Sequence, residues 1–237
     1  MRTTRLFPLA LALVALPFLT FERAAGAVAP LEGNSQSPID LRSEQVIFVR
    51  GSELPDLKFR YPRRVDLDLV NTGETVRADL PEGAATLRVG RQEYALLQFH
   101  FHTPSEHLVD GSAAPAEMHL VHRSAGGELM VVGVFLEEGG EHFLDELLVE
   151  APEEEGLAEE VRDFPLRALL PRDLDSYRYD GSLTTPPFTE GVRWAVLAQP
   201  LELDGCALEH LRELFPEGNA REAQPLHDRA ILSDLGR

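Results

Sequence analysis

From residue 28 onward, apolar and polar residues alternate in short runs separated by Gly, Pro, Asn and Asp, the period-two pattern of half-buried strands joined by turns. The clearest runs span residues 65–70, 86–89, 94–102, 116–122, 129–136 and 192–197. The run 129–136, Leu-Met-Val-Val-Gly-Val-Phe-Leu, is apolar at both parities, which predicts a central strand covered on both faces. Apolar residues at spacings of three and four predict helices over 141–149, 154–161 and 207–215. The expected class is therefore mainly β with a few helices (α+β). No internal repeat or second boundary interrupts 28–237, and that length suits a single domain.

The leader has a different pattern. Met1-Arg-Thr-Thr-Arg, an apolar run over 6–19 and then Ala25-Gly-Ala27 are the charged, apolar and small-residue parts of a secretory signal peptide. A membrane anchor would need roughly 20 apolar residues, whereas this run is shorter and carries Pro8 and Pro17. The reading is a signal peptide over 1–27, cleaved after Ala27, and a mature chain that is periplasmic or secreted with no membrane attachment.

Charge and cysteine usage narrow the partners. A formal charge of -18 repels nucleic acid and anionic lipid, so neither is expected to bind. Lys58 is the single lysine among 22 basic residues, and the acidity reads as a solvated surface. Cys206 is the only cysteine, which rules out an internal disulfide, and it is read as a buried apolar residue.

The chemistry concentrates in two strand runs. In Tyr94-Ala-Leu-Leu-Gln-Phe-His-Phe-His102, strand periodicity puts Gln98, His100 and His102 on one face and Phe99 and Phe101 on the other. In Ala116-Glu-Met-His-Leu-Val-His122 it groups Glu117, His119 and Val121. Three neutral imidazoles without a thiolate suit Zn²⁺ and leave its fourth tetrahedral position open, as catalytic zinc requires. Gln98 and Glu117 each precede a histidine by two residues, placing an acceptor for its second ring N–H. An H-x-H pair alone is common in strands that bind no metal. The H-x-H-x-x-x-E spacing of His100, His102 and Glu106 also fits a cupin, but no second histidine motif follows downstream.

The wider set of segments resembles the alpha-class carbonic anhydrases. It comprises Gln36-Ser-Pro-Ile-Asp40, Gln98 to His102, Ser105-Glu-His107, Glu117 to His122, Gly181-Ser-Leu-Thr-Thr-Pro-Pro187, Trp194, Asn219-Ala-Arg221 and Gln224-Pro-Leu226, in order along nearly all of the mature chain. The resemblance implies a twisted, largely antiparallel central sheet with peripheral helices and Zn²⁺ as cofactor. It implies reversible hydration of CO₂ to bicarbonate and a proton by attack of zinc-bound hydroxide, with CO₂ and bicarbonate as the ligands. It assigns the metal to His100, His102 and His119, with Gln98, Glu117 and the carbonyl of Asn219 supporting them. Thr184 would accept from the hydroxide and donate to Glu106, Thr185 would help bind bicarbonate, and Val121, Val131, Leu183, Val192 and Trp194 would form the CO₂ pocket.

Three departures stand out. Glu74 occupies the position of the family's proton-shuttling histidine, and carboxylates, titrating near about 4, carry protons poorly at neutral pH beside a histidine at about 6.5. Thr72 and Arg77 replace the usual rim residues, which predicts a more cationic pocket rim. The family's N-terminal Trp, Tyr and Gly-Pro segment has no counterpart ahead of Gln36, and Phe188 stands where bacterial members carry a bridged cysteine. The alternative functions are a carbonic-anhydrase-like zinc-binding protein of low activity, and a cupin-like metal enzyme or zinc carrier.

Overall fold

The computed structural model describes residues 33–49 and 54–236. The signal-peptide reading of 1–27 lies outside the described residues. In chain order the first strands are β1 (Asp40–Leu41), β2 (Val46–Phe48), β3 (Leu57–Arg60), β4 (Val65–Asn71) and β5 (Val76–Asp79). There follow β6 (Thr86–Val89), β7 (Gln92–His102), β8 (Leu108–Val109), β9 (Ser112–Ala113) and β10 (Ala116–Ser124). The last are β11 (Leu129–Glu138), β12 (Ala158–Phe164), β13 (Ser176–Ser182), β14 (Glu190–Leu203) and β15 (Ile231–Ser233), with helices α1 (Phe143–Val149) and α2 (Gly205–Leu214).

Ten strands follow the path β12-β4-β5-β7-β10-β11-β14-β13-β15-β2, and β6 pairs with the first half of β7 and carries β3 on its outer side. Every pairing on that path is antiparallel except β11 with β14 and β15 with β2. As its pattern predicts, β11 is central and covered on both faces. Met130, Val132, Val134 and Leu136 enter the larger core, while Val131 and Phe135 enter a second cluster on the histidine side. Phe99 and Phe101 are fully buried in the larger core. Each contributes about 1.5–3 kcal/mol by burial, and together they anchor the face of β7 that turns its histidines the other way.

Both helices cover the larger core. α1 starts at a capping box, with His142 Nδ1 accepting from the Leu144 N–H at 3.1 Å and Asp145 accepting from the His142 N–H at 2.5 Å. Its Leu144, Leu147 and Leu148 are buried. α2 starts at Asp204, which accepts from the Cys206 N–H at 2.8 Å, and buries Ala207, Leu208 and Leu211.

Two sequence expectations are corrected here. Cys206 is exposed, because it falls off the stripe that Ala207, Leu208 and Leu211 present to the core. The helix expected over 154–161 is replaced by a turn and β12, whose N–H and C=O groups pair with β4. Glu159, Glu160, Arg162 and Asp163 all face solvent on this edge strand. Charge on an exposed edge blocks further strand pairing, and here it also mimics the polar face of a helix.

Candidate metal centre

β7 and β10 are antiparallel neighbours, and their register sets His100 directly opposite His119, with His102 opposite Glu117. The three imidazoles therefore converge, with ring centroids 5.0 Å apart for His100 and His102, 5.3 Å for His100 and His119, and 4.7 Å for His102 and His119. One nitrogen from each lies within 4.8 Å of the others.

The other ring nitrogens are all engaged. His100 Nδ1 donates to Gln98 Oε1 at 2.9 Å, His102 Nδ1 to the Asn219 carbonyl at 3.2 Å, and His119 Nε2 to Glu117 Oε1 at 2.9 Å. Strand parity points to Gln98 and Glu117 and the resemblance to Asn219, and these three residues are the hydrogen-bond partners of the rings. These bonds leave Nε2 of His100, Nε2 of His102 and Nδ1 of His119 facing one another. His102 Nε2 is buried without a hydrogen-bond partner. An orphaned imidazole nitrogen inside a three-histidine cluster fits a tetrahedral metal with one open position.

Burial holds His100 well below the usual histidine range, reinforced by His102 and His119, and burial lowers His102 as well. Both are thus in the neutral form that ligates metal. For His119 burial also acts downward, but Glu117 and Glu106 outweigh it and raise the group. For Glu117 burial acts upward, but His107 and His119 outweigh it and hold the carboxyl well below its ordinary value.

Glu117 is fully buried and saturated. Oε1 accepts from His119 and, at 2.7 Å, from His107 Nδ1, while Oε2 accepts from the N–H groups of Glu106 at 3.0 Å and His107 at 2.8 Å. The Tyr179 hydroxyl lies 2.7 Å from His107 Nε2 and 2.9 Å from Ser37 Oγ. His107 and Tyr179 thus belong to the support of the centre, although strand periodicity does not single them out. His107 follows a loop, and its burial between Glu117 and Tyr179 is a tertiary fact. His107, Glu117 and His119 also form a compact donor set, but its members bond to one another and share His119 with the centre already described.

A cavity of about 560 Å³ opens beside His102 and Glu106 and is also lined by Glu74, Thr184, Thr185 and Phe188. Glu106 is 2 % exposed. Its Oε1 accepts from the Arg221 N–H at 2.8 Å, and its carboxylate lies 3.5 Å from His102 Nδ1 and 3.7 Å from His119 Nδ1. Glu106 Oε2 has no hydrogen-bond partner, so the bond from Thr184 that the resemblance implies is not made here, although both residues line one cavity. Val121, Val131, Val192 and Trp194 are buried in the second cluster with Leu183 packed against it, and the Trp194 ring centroid lies 4.8 Å from that of His119. The Arg77 guanidinium pairs with Asp79 through two bonds of 2.9 and 2.8 Å, and its positive charge adds to burial in holding His100 low.

Residues 25–234 match the family model described as eukaryotic-type carbonic anhydrase. A carbonic anhydrase from Nostoc sp. is 39% identical over 206 residues, covering 86% of this chain and 77% of the relative, and human carbonic anhydrase 7 is 33% identical, covering 86% and 90%. Among solved structures, the alpha-carbonic anhydrase of Photobacterium profundum superposes with a TM-score of 0.78 at 41% identity, covering 85% of this chain and 90% of the other. That of Thermovibrio ammonificans, solved with the inhibitor sulfanilamide, gives 0.78 at 37%, covering 84% and 87%. A family match across most of the chain, joined to three converging histidines on neighbouring strands, leads to one conclusion: the chain belongs to the eukaryotic-type, or alpha, carbonic anhydrase family.

Proposed function

We propose that this chain catalyses the reversible hydration of CO₂ to bicarbonate and a proton at a zinc ion held by His100, His102 and His119. The observation that carries the reading is the matched set of ring nitrogens, three tied to Gln98, Asn219 and Glu117 and three turned inward. Zinc bound there would lower the pKa of a coordinated water to about 7, the value known for carbonic anhydrases, making hydroxide available at neutral pH.

The protein's part is orientation. Glu106 keeps one carboxylate oxygen on the Arg221 N–H and leaves the other without a partner in a buried position. A hydrogen bond from the Thr184 hydroxyl to that oxygen, once made, would commit the hydroxyl's only hydrogen, so that Thr184 would present a lone pair toward the metal centre. The nonpolar cluster of Val121, Val131, Leu183, Val192 and Trp194 suits CO₂, which gains little from polar walls. Thr185 is exposed at the cavity wall, and from there it would hydrogen-bond bicarbonate. Glu74 is an exposed carboxylate at the mouth, the least suited group of this set for carrying the proton out.

Export is part of the proposal and rests on the charged, apolar and small-residue order of residues 1–27. No helix among the described residues is long and apolar enough to cross a membrane. The test is stopped-flow CO₂ hydration on the zinc-loaded mature chain, with and without imidazole, beside a His119→Ala variant. Zinc-dependent activity lost in the variant is expected. A protein that binds one zinc and hydrates no CO₂ is instead a zinc-binding member of the family.

A further inference from the structure

Three segments far apart in sequence meet at one guanidinium beside the cavity. The Arg221 carbon Cζ sits 3.7 Å over the centre of the Phe188 ring, and Arg221 Nη1 donates to Gln36 Oε1 at 2.9 Å and to the Ser37 carbonyl at 2.7 Å. Gln36 closes the triangle, because its Nε2 donates to the Phe188 carbonyl at 3.2 Å and to Glu190 Oε1 at 3.0 Å. Two of the tied segments carry a group of the proposed chemistry. The main-chain N–H of Arg221 is the donor that holds Glu106 Oε1. Phe188 ends the loop that carries Thr184 and Thr185, a loop pinned by the Phe188 N–H to the Thr185 carbonyl at 2.9 Å and the Leu183 N–H to the Thr189 carbonyl at 3.0 Å.

Phe188 does this from an awkward backbone. Its φ is +58°, a region that residues with a β-carbon adopt at a cost, yet a phenylalanine and not a glycine stands there. The ring it supplies is the flat face a guanidinium prefers, and a planar cation over an aromatic ring resists both tilt and translation.

We propose that Phe188 and Arg221 are positioning residues for CO₂ hydration. Their stack locks the 183–189 loop to the 219–221 segment, and so fixes Thr184 relative to the carboxylate of Glu106. This rests on the proposed function for its catalytic consequence, while the lock itself does not depend on that reading. Neither side chain need touch the reacting atoms. A relaxed loop would let Thr184 drift from Glu106, and displacements of about 1 Å in a site of this kind cost up to about a hundredfold in rate.

The experiment compares Phe188→Leu, which keeps apolar bulk and loses the ring face, with Phe188→Tyr, which keeps both, in the zinc-loaded protein. Two readouts are taken with zinc content and melting temperature: amide hydrogen exchange over 183–190 and 218–224, and kcat/KM for CO₂ hydration. The expected result for Phe188→Leu is faster exchange in both segments and a fall of about tenfold in kcat/KM, with zinc content unchanged, and recovery of both readouts in Phe188→Tyr. Unchanged exchange in Phe188→Leu overturns the lock, even in a parent that proves inactive. Faster exchange with kcat/KM within twofold of an active parent overturns the catalytic consequence. So does a fall that tracks lost zinc, or one that Phe188→Tyr shares.

Discussion

Gly133 lies so close beneath Glu117 that a β-carbon on it would stand 2.6 Å from the carboxylate Oε1, the atom that accepts from His119. Gly133 is also directly opposite His119 across the β10–β11 pair. The one glycine in an otherwise apolar run is therefore the space that lets a buried carboxylate sit under His119. Gly133→Ala is expected to push Glu117 off His119 and weaken zinc binding about 10- to 100-fold, the usual consequence of losing a ligand's orienting partner. Competition against a fluorescent chelator measures it, and parental affinity would show that Glu117 can shift without releasing the ring.

Glu117 receives four hydrogen bonds, and a carboxylate is the side chain that can accept them all without offering a donor in return. In Glu117→Gln the amide nitrogen has to face two of those donors. We expect a loss of about 3–5 kcal/mol in stability, as for a broken buried charge pair, together with weaker zinc binding. Urea unfolding of the metal-free protein separates the first effect from the second, and a change under about 1 kcal/mol would show the network to be dispensable.

His122 gives a pH signature independent of the centre. With Nδ1 donating to the Met130 carbonyl at 3.3 Å, its Nε2 accepts from the Tyr61 hydroxyl at 2.7 Å, so the buried neutral ring is fully partnered. Burial pushes it down to about 4, against about 6.5 in an unfolded chain. The unfolded chain therefore takes up the proton first. The stability contributed by neutral His122 is complete above about pH 7 and is lost as pH falls from about 6.5 toward 4. Between pH 7.5 and 5 the loss is about 2 kcal/mol at 1.36 kcal/mol per pH unit. His122→Gln should lack this component, and parallel pH slopes for parent and variant in urea unfolding would refute it.

Proton release should limit turnover in weak buffer, since the mouth offers Glu74 and the lining histidine, His102, belongs to the proposed metal set. Added imidazole is expected to raise kcat, and Glu74→His to raise it by at least about tenfold without imidazole. Neither change should alter kcat/KM for CO₂. A variant with unchanged kcat would place the limiting step elsewhere.

The strand pattern made much of the centre legible, because a strand's period of two is rigid enough to fix which residues share a face. Gln98, His100 and His102 came from one run, Glu117 and His119 from another, and the register of β7 against β10 joined them. What periodicity could not supply lies in loops. His107, Phe188 and Arg221 act through contacts spanning 10 to 185 residues of sequence, and no local signal encodes such a partner. The edge strand β12 was misread for a related reason, since solvent on its exposed surroundings permits charged residues at every position but Val161 and Phe164 after Ala158. Cys206 shows the same limit at a helix start, where one residue's offset decides between core and water.

All three proposed metal ligands come from two neighbouring strands joined by the short stretch 103–115, whereas the bonds to the Asn219 carbonyl and the Arg221 N–H span 117 and 115 residues. Loop-closure entropy favours the near pairing over the distant ones, so we expect the histidine cradle to form before its outer fittings. Damage to the late contacts would then strip the chemistry and leave the cradle standing. A lineage of this architecture could in that way part with catalysis by changes in its loops while its strands went on sequestering metal.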